Sequence, residues 1–539
     1  MKINLSTYIG LFVIGLLIYS CAVGPNYHKP KDQTTTEFRF KSKDSTLTDS
    51  VVNLKWWEIF QDSIIDTLVR QALVNNKNLL IAASRIEQAR ANVKFTNADR
   101  LPQFSYDANA GRNMAFANVF PNNNGFNSFN ATVNASWEID FWGKYKRSTE
   151  SAKAELMSTL YAKRAIEIAL ISEIAINYFK LIGYRTQLEI SNKTLASRDS
   201  TLTIIQNRFD FGYTHIIDVN QAEIQKAIAQ TAVPYYKRLI AVTENNLSVL
   251  VGKMPDEVKT DITYYEYELP DSIPVGIPSE VLLRRPDVLQ AEQNFRVSNA
   301  KVGVAQAMRY PSFSLTGLLG LSSNELSTVL DNGLGWGASA SITGPIFNFG
   351  KNKKRVDIAR EVAKQSLLSY ENTVLNSMKE VSNSLVEIET LKEELEARQL
   401  RLDAANNASN LSSQRYYQGV TSYLEVTENQ RQEFDAELSY SDNFQQLLTA
   451  YVNLYKSLGG GWVSEAEMEK YAEIIAEERD IELDSINRDT LVYMGQIVDY
   501  KLTKEEEEQR KALRKKKSIN KETRKRKRLK RNNRKRTSI

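Results

Sequence analysis

The chain has very little thiol or imidazole chemistry, since its 539 residues include one cysteine, Cys21, and two histidines, His28 and His215. A lone cysteine can form neither an internal disulfide nor a thiolate metal cluster. With two histidines, the chain cannot assemble a histidine-dependent nucleophile system or a metal cluster. No glycine-rich phosphate loop followed by Lys-Ser or Lys-Thr occurs either. The composition therefore argues against an enzyme and against a bound cofactor or metal.

A long apolar segment is also missing at the N-terminus. The mostly apolar run from Tyr8 to Tyr19 is short for a spanning helix, and it follows Met1-Lys2, which is typical of a signal peptide over residues 1–20. Ser20-Cys21 then resembles a bacterial lipobox, which predicts a covalent lipid on Cys21. The alternative is an uncleaved anchor helix with an incidental cysteine.

Proline and glycine are nearly absent from two long stretches. Residues 144–208 contain one glycine, Gly183, and residues 351–415 contain neither residue type. Each stretch would form a helix roughly 98 Å long, too long for a globular domain. Near-heptad apolar spacing in both indicates helical partners lying side by side. Glycine turns at Gly212 and Gly419 precede further helical patterns, so the sequence predicts two long helical hairpins.

The two halves of the chain repeat each other. Phe104 and Phe313 lie 209 residues apart, and Gly143 and Gly350 lie 207 residues apart, as do the two glycine turns. A near-constant offset indicates an internal duplication of about 200 residues.

In each repeat a helical pattern runs through one proline into a two-residue alternation, which predicts paired strands. In the first repeat the helical pattern extends from Ile64 to about Leu101. The strands are expected over residues 103–115, 129–141, 312–321 and 335–347.

The alternation is clearest in residues 129–141, where seven apolar or aromatic residues alternate with six polar ones. Strands of this length suit a tilted crossing of a bilayer, with the apolar face toward lipid and the polar face toward a lumen. Four strands cannot close a barrel, and an open edge is not tolerated in hydrocarbon. Other copies must therefore complete it: two copies would supply eight strands and three would supply twelve.

The predicted organisation has seven parts, and the last part carries an unusual charge. Residues 510–539 hold 17 Lys/Arg and one acid, a net charge of +16; since the whole chain is +5, the remainder is −11. The basic end is interpreted as a solvated tail or as a contact for anionic envelope polymers; nucleic-acid binding is disfavoured in an exported protein. The parts are a signal peptide (1–20), a lipid-anchored tether (21–55), repeat 1 (56–255), an equatorial linker (256–278), repeat 2 (279–462), a C-terminal equatorial extension (463–502) and a basic tail (503–539).

Several of these segments resemble the TolC-like outer-membrane efflux proteins, in particular the NodT-like lipoprotein branch that serves RND-type pumps. The resemblance covers about residues 21–462. It is carried by Cys21 with Gly24-Pro25-Asn26-Tyr27, Trp56-Trp57 with Phe60, Arg284-Arg285-Pro286-Asp287, Gly303-Val304-Ala305 with Tyr310-Pro311, and the stretch from Tyr416 to Arg431.

The resemblance implies an α+β membrane protein. Members are homotrimers in which four strands per chain form a twelve-stranded barrel in the outer membrane, continuous with a long periplasmic helical barrel. The implied function is a passive exit duct for small molecules in a tripartite efflux system. The implied partners are outer-membrane lipid, a periplasmic adaptor (membrane fusion protein) and an inner-membrane RND-type pump, with no nucleic acid and no catalysis.

The resemblance also implies a periplasmic gate at the second hairpin turn. Three copies of an acidic residue converging there should raise its pKa by crowding. Tyr417 stands where the family often has a basic residue, which leaves the latch chemistry open. The implied gate residues are Leu424 (apolar ring), Glu428 (acidic ring), Tyr416 and Arg431 (restraining network), with Asp218 and Gln221 as weaker counterparts in the first hairpin; the alternative is that Glu428 and Arg431 form an ordinary i, i+3 surface pair.

Two other functions stay open at this point. The same architecture serves type I protein secretion, and a non-pore, envelope-spanning coiled-coil lipoprotein would also contain long helices. Conductance through the purified protein would distinguish a pore from the structural alternative.

Overall fold

The computed structural model describes residues 22–30, 62–113, 126–260, 285–330 and 334–460. Cys21 and the predicted signal peptide, C-terminal extension and basic tail lie outside the described residues.

The first half of the chain contains four helices and two strands in the described ranges. They are α1 (Ser63–Asn75), α2 (Lys77–Ala98), β1 (Gln103–Asn113), β2 (Phe126–Ile139), α3 (Lys144–Asp210) and α4 (Ile216–Val251).

The second half repeats the pattern from its helix onward. Its elements are α5 (Pro286–Ala307), β3 (Ser312–Ser323), a short 3₁₀ turn (Leu326–Thr328), β4 (Gly335–Thr343), α6 (Lys351–Tyr417) and α7 (Tyr423–Ser457).

The helix predicted from Ile64 to about Leu101 is two helices, because Asn76 interrupts it. Asn76 has extended backbone angles, and its side chain accepts a hydrogen bond from the Leu79 amide at 3.2 Å, which caps α2. Its Nδ2 donates to the Leu250 carbonyl at 2.8 Å. The break therefore ties the start of α2 to the end of α4.

The long helices α3 and α6 each contain 67 residues. Each follows a glycine in the left-handed region, Gly143 with φ 74° and Gly350 with φ 80°. The turns that end them also contain left-handed glycines, Gly212 with φ 75° and Gly419 with φ 77°. Because residues with a Cβ rarely adopt this conformation, glycine sets both ends of each long helix.

The four strands form one antiparallel sheet in the order β1-β2-β3-β4. The central pair, β2 with β3, joins the two repeats, in a register that runs from Phe129 opposite Ser323 to Ile139 opposite Phe313. Within the described residues, β1 and β4 each pair on one side, so the sheet has two free edges.

The strand bounds differ from the predicted ones by a few residues. β2 ends at Ile139 and not at 141, because the Asp140 carboxylate accepts from the amides of Tyr145 at 3.0 Å and Lys146 at 2.7 Å, in the first turn of α3. β4 ends at Thr343 and not at 347, since Gly344 and Pro345 follow and proline lacks a ladder donor. β3 continues two residues past its predicted end, to Ser323.

The main apolar core lies where the two repeats meet. Ile171, Tyr178 and Leu181 on α3 pack with Leu447 and Leu448 on α7, and all five side chains are almost fully buried. Each such side chain contributes about 1.5–3 kcal/mol on burial. Toward the hairpin turns, the contact between α3 and α7 becomes polar. Among the described residues, no helix is both long enough and apolar enough to cross a bilayer.

Candidate functional site at the helical tip

The turns of the two hairpins meet at one end of the long helices. Ile205 on α3 and Val219 on α4 are buried against Tyr416, Tyr423 and Val426 from the second hairpin. This apolar cluster holds the two turns together just above the tip.

Leu424 and Glu428 lie one helical turn apart at the start of α7. Leu424 is 60 % exposed in the single chain. Glu428 accepts from Arg431 at 3.0 and 2.7 Å and from Gln432 at 2.9 Å. Arg431 also donates to Asp435 at 2.9 Å. These contacts all stay on α7, so in the single chain Arg431 braces Glu428 and does not bridge to the first hairpin.

The hydrogen bonds from Arg431 and Gln432 lower the pKa of Glu428 to about 2. This is opposite in direction to the effect expected from crowding of three carboxylates. Within one chain, therefore, hydrogen bonds from its own helix keep Glu428 ionised to a lower pH than an ordinary glutamate.

Tyr416 is packed between the two hairpins. It is buried between the ring of Tyr423, at 5.2 Å, and the guanidinium of Arg208 on α3, at 4.9 Å. In the described part of the chain its hydroxyl has no hydrogen-bond partner although it is buried. Burial raises the pKa of Tyr423 to about 12.

Asp218 and Gln221, the predicted first-hairpin counterparts, lie in the first turns of α4. Asp218 accepts a hydrogen bond from the hydroxyl of Thr214. Its charge adds to the effect of burial, which raises the pKa of Tyr423. The Gln221 Oε1 is buried and has no partner among the described residues. No hydrogen bond in the described ranges joins either residue to Glu428 or Arg431, so the structure does not assemble these four into one network.

A residue outside the predicted set makes the polar connection between hairpins. Arg198 on α3 is 5 % exposed, and its guanidinium donates to the Gln430 side chain and, at 2.7 Å, to the Gln430 carbonyl on α7. It also reaches Gln225 on α4 at 3.3 Å. One arginine thus links three helices two turns away from Leu424.

Acidic side chains surround this arginine. Burial lowers the pKa of Arg198, while the charges of Glu433, Tyr423 and Glu437 act in the opposite direction. Burial, followed by the charge of Glu433, raises the pKa of Glu437. Glu433 in turn accepts from the Ser409 hydroxyl on α6 at 2.6 Å. The positive charge of the guanidinium therefore reduces the repulsion between the carboxylates of Glu433 and Glu437, which lie one turn apart on α7.

A second structured region lies at the other end of α3, where the N-terminal segment reaches the sheet. A Cβ on Gly143 would lie 2.7 Å from the Cβ of Ala22, and the Val23 amide donates to the Trp142 carbonyl at 3.1 Å. Further along, Arg147 donates to Asn26 Oδ1 at 2.8 Å. The residue after Cys21 is thus fixed at the junction of β2 and α3.

The remainder of this segment is held on α5. The Tyr27 hydroxyl donates to Glu292 at 2.8 Å, and its ring lies 5.9 Å from that of Phe295. Gly24, with φ 106°, approaches Gly303 so closely that a Cβ would lie 2.5 Å from its Cα. The Gly-Pro-Asn-Tyr motif is therefore a packed strap across α3 and α5.

Residues 68–253 and 277–460 match the outer membrane efflux protein family. The chain belongs to this family. It is an outer-membrane exit component of efflux, and the two matched ranges fall in the two halves that contain the long hairpins.

Individual relatives of this efflux protein agree. It is 30 % identical over 455 residues to the cation efflux system protein CusC of Escherichia coli O6:H1, covering 84 % of this chain and 98 % of CusC. It is 29 % identical over 462 residues to the toluene efflux pump outer membrane protein TtgC of Pseudomonas putida, covering 84 % and 95 %. The open-state structure of the MtrE outer membrane channel of Neisseria gonorrhoeae has a TM-score of 0.74 and 27 % identity, covering 82 % of this chain and 98 % of MtrE.

These relatives carry different cargo at nearly equal identity, one named for cations and one for toluene. Overall similarity therefore assigns this efflux protein its role and not its cargo.

The pKa of Glu428 gives a test of the acidic position. An acidic ring of Glu428 would make the pore select cations. We expect this selectivity to be unchanged from pH 7 to about pH 4, because a lowered pKa keeps the carboxylate charged until the pH approaches about 2. Arg431→Ala removes the main cause of the shift, so selectivity should then fall as the pH drops through about 4–5, near the ordinary value for Glu. Reversal potentials in planar bilayers measure both.

Arg415→Ala is the matched control, since Arg415 pairs with Glu425 at 3.2 Å on the same turn without contacting Glu428. Its pH profile should follow the wild type. Leu424→Ala should raise conductance and leave selectivity unchanged. Equal pH profiles for Arg431→Ala and the wild type would show that Glu428 does not set selectivity.

Proposed function

We propose that three copies of this chain form a twelve-stranded outer-membrane barrel that continues into a periplasmic helical barrel, the passive exit duct of a tripartite efflux system. The observation that supports it is the four-stranded sheet with two free edges, connected through Gly143 and Gly350 to helices of 67 residues. Three such sheets supply the twelve strands of a closed barrel without leaving an edge in lipid.

Exposed apolar surface supports association of copies. Along α4, exposed side chains recur mostly seven residues apart, which is the spacing of a helix that packs lengthwise on another helix. The sheet likewise exposes aromatic and aliphatic side chains on its outward face, as expected toward lipid. The residues are Ile217, Ile224, Ile228, Tyr235, Val242 and Val249 on α4, and Tyr106, Trp336 and Ile342 on the sheet.

The proposed partners are a periplasmic adaptor at the tip and, through it, an inner-membrane RND-type pump. The turns expose Phe211 and Tyr213 on the first hairpin and Tyr417 and Val420 on the second. These side chains give a partner apolar anchors on both turns. Since the duct is passive, energy coupling belongs to the pump. The proposed cargo is small molecules, in keeping with relatives named for efflux.

At the tip we propose that Leu424 and Glu428, each present three times, form the apolar and acidic rings of the closed gate. Arg431 lowers the pKa of Glu428, and Tyr416 secures the turn by packing. The exposure of Leu424 and the bracing of Glu428 within α7 support this assignment.

At the membrane end we propose that Cys21 carries a covalent lipid. Ala22 lies against Gly143, where the strand β2 passes into α3. That junction is the periplasmic edge of the proposed barrel, so a lipid on the preceding residue would enter the adjacent leaflet without distorting the strap.

Assembly and conduction provide the test. Light scattering of the detergent-solubilised protein should give the mass of a trimer, about three times the 61.3 kDa of the unprocessed chain. Reconstituted protein should conduct ions in planar bilayers. A folded monomer, or a trimer that carries no current even after substitution of the tip residues, would contradict the proposed duct.

A further inference from the structure

The junctions between the sheet and the long helices carry different charges in the two repeats. Residues 332–356, which include β4 and the start of α6, contain four basic residues and no acidic one. The equivalent residues of repeat 1, 125–149, contain three basic and two acidic residues. The junction of repeat 2 therefore has a net charge of +4, whereas the junction of repeat 1 has a net charge of +1.

Repeat 1 neutralises most of its basic residues within the chain. Lys144 donates to the Glu138 carboxylate at 2.8 Å. Arg147 is buried, and its guanidinium donates to Asn26 of the strap and to Glu150, both at 2.8 Å. The lysine and the arginine thus have polar partners that belong to the protein itself.

The junction of repeat 2 has lost the equivalent carboxylate. The offset of 207 residues places Pro345 where repeat 1 has Glu138, and it places Lys351 where repeat 1 has Lys144. Lys351 and Lys353 are exposed, and neither forms an ion pair within the part of the chain that the structure describes. Both ammonium groups are therefore available to an anion from outside the chain.

The basic residues of repeat 2 are concentrated where the sheet meets the helix. They occupy four of the first five positions of α6, which rise about 6 Å along the helix axis. We propose that this basic patch binds the phosphate of an anionic phospholipid in the leaflet next to the periplasmic edge of the barrel. The inference rests on the proposed barrel and adds a lipid site to it. The basic patch consists of Lys351, Lys353, Lys354 and Arg355.

Apolar side chains next to the basic patch favour a phospholipid over a soluble anion. Ile346 is fully exposed and Phe347 is 75 % exposed in the single chain, and both precede α6 by a few residues. They follow Trp336 and Ile342, which belong to the exposed apolar surface of the sheet. Basic side chains near a membrane surface attract anionic headgroups, while their apolar stems lie along apolar surface. A phospholipid would use both parts of this surface, with its phosphate at the lysines and its acyl chains at the apolar residues.

The basic patch is open where the equivalent surface of repeat 1 is covered. The strap lies on Arg147, whereas its counterpart Lys354 has a side chain that is 76 % exposed and pairs with Asp357 at 3.3 Å. A Cβ on Gly143 would lie 2.7 Å from Ala22, but a Cβ on the counterpart Gly350 would meet no atom within 4 Å. The second junction therefore has room for a headgroup at the place where the first junction holds the strap.

Lipid retention tests the basic patch. The detergent-solubilised trimer is mixed with equal amounts of phosphatidylglycerol and phosphatidylcholine that have the same acyl chains, and native mass spectrometry counts the lipids that stay bound. We expect the wild type to retain phosphatidylglycerol over phosphatidylcholine by roughly tenfold. Lys351→Gln/Lys353→Gln should retain the two lipids about equally, because each copy loses the two cations that have no carboxylate partner among the described residues.

Two further variants separate the basic patch from total charge. Lys364→Gln/Lys379→Gln is the matched control, since it removes the same charge from exposed positions of α6 that lie farther from the sheet. Its lipid preference should equal that of the wild type. Pro345→Glu supplies Lys351 with the carboxylate that Lys144 has in repeat 1, so it should lower the preference without removing a cation.

Inorganic phosphate distinguishes a phospholipid from a free anion. Added in roughly tenfold excess over lipid, it should leave the bound phosphatidylglycerol in place, because it has no acyl chains to contact Ile346 and Phe347. Displacement of the lipid by inorganic phosphate would overturn the phospholipid site. Equal lipid preference in the wild type and Lys351→Gln/Lys353→Gln would also overturn it, and in both cases the trimer and its duct would stand. A monomer by light scattering would instead overturn the proposed function, and this site with it.

Discussion

Replacing Arg198 with alanine is expected to open the tip and raise single-channel conductance several-fold in a trimer that remains assembled. The change removes hydrogen bonds from a buried guanidinium to Gln430 and leaves Glu433 and Glu437 without the cation that offsets them. A hydrogen bond to a charged group contributes about 1.5–3 kcal/mol. Loss of one such bond shifts the balance from closed toward open within each chain by roughly tenfold to a hundredfold.

Arg185→Ala is the matched control on the same helix. Arg185 donates to Glu244 at 2.7 Å and to the Val258 carbonyl at 2.6 Å, so its bonds stay within the first repeat and the linker that follows it. It should reduce thermal stability without changing conductance. Arg198→Lys should lie between the wild type and Arg198→Ala, since it keeps the charge but not the planar fork. If Arg198→Ala trimers conduct like the wild type, another contact holds the hairpins together.

Replacing Cys21 with alanine is expected to abolish metabolic labelling with a radioactive fatty acid completely. Cys21 supplies the single thiol of the chain, so no second cysteine can accept the lipid. The strand register should be retained, because the strap of residues 22–30 keeps its contacts through Val23, Arg147 and Tyr27.

Ser20→Ala is the control for this prediction, since it keeps a small residue before the cysteine and should label normally. Light scattering of the detergent-solubilised Cys21→Ala protein reports its assembly independently of the lipid. Fatty-acid labelling that persists in Cys21→Ala would show that Cys21 is not the acceptor.

The duplicated architecture could be predicted from the sequence because its determinants are local and repeated. Each of these determinants can be recognised within a few neighbouring residues: the glycines at helix ends, the prolines between helix and strand, and the strict alternation in β2. Errors arose where one side chain overrides a pattern. Asn76 breaks a helix whose apolar spacing continues past it, and Asp140 leaves the β2 alternation to cap α3.

The candidate site was less predictable, for a different physical reason. Leu424 and Glu428 come from resemblance at one turn, and their role in a gate stays a prediction. Arg198 has no local pattern, since one arginine among the many charges of a 67-residue helix is ordinary until its distance to Gln430 is known. Partners 232 positions apart in the chain are brought together only by the packing of α3 on α7.

The equal length of α3 and α6, 67 residues each, limits how this protein can evolve. One inserted residue advances a helix by about 1.5 Å and rotates everything beyond it by about 100°. Such an insertion in one repeat alone would displace the turn of that repeat along the helix axis relative to the other turn. It would also rotate the apolar face of the helix away from the neighbouring helices. A change of about seven residues nearly restores the orientation of this apolar face. The amino-acid composition of these helices can therefore change freely during evolution. Their length can change only in steps of about seven residues, made in both repeats together.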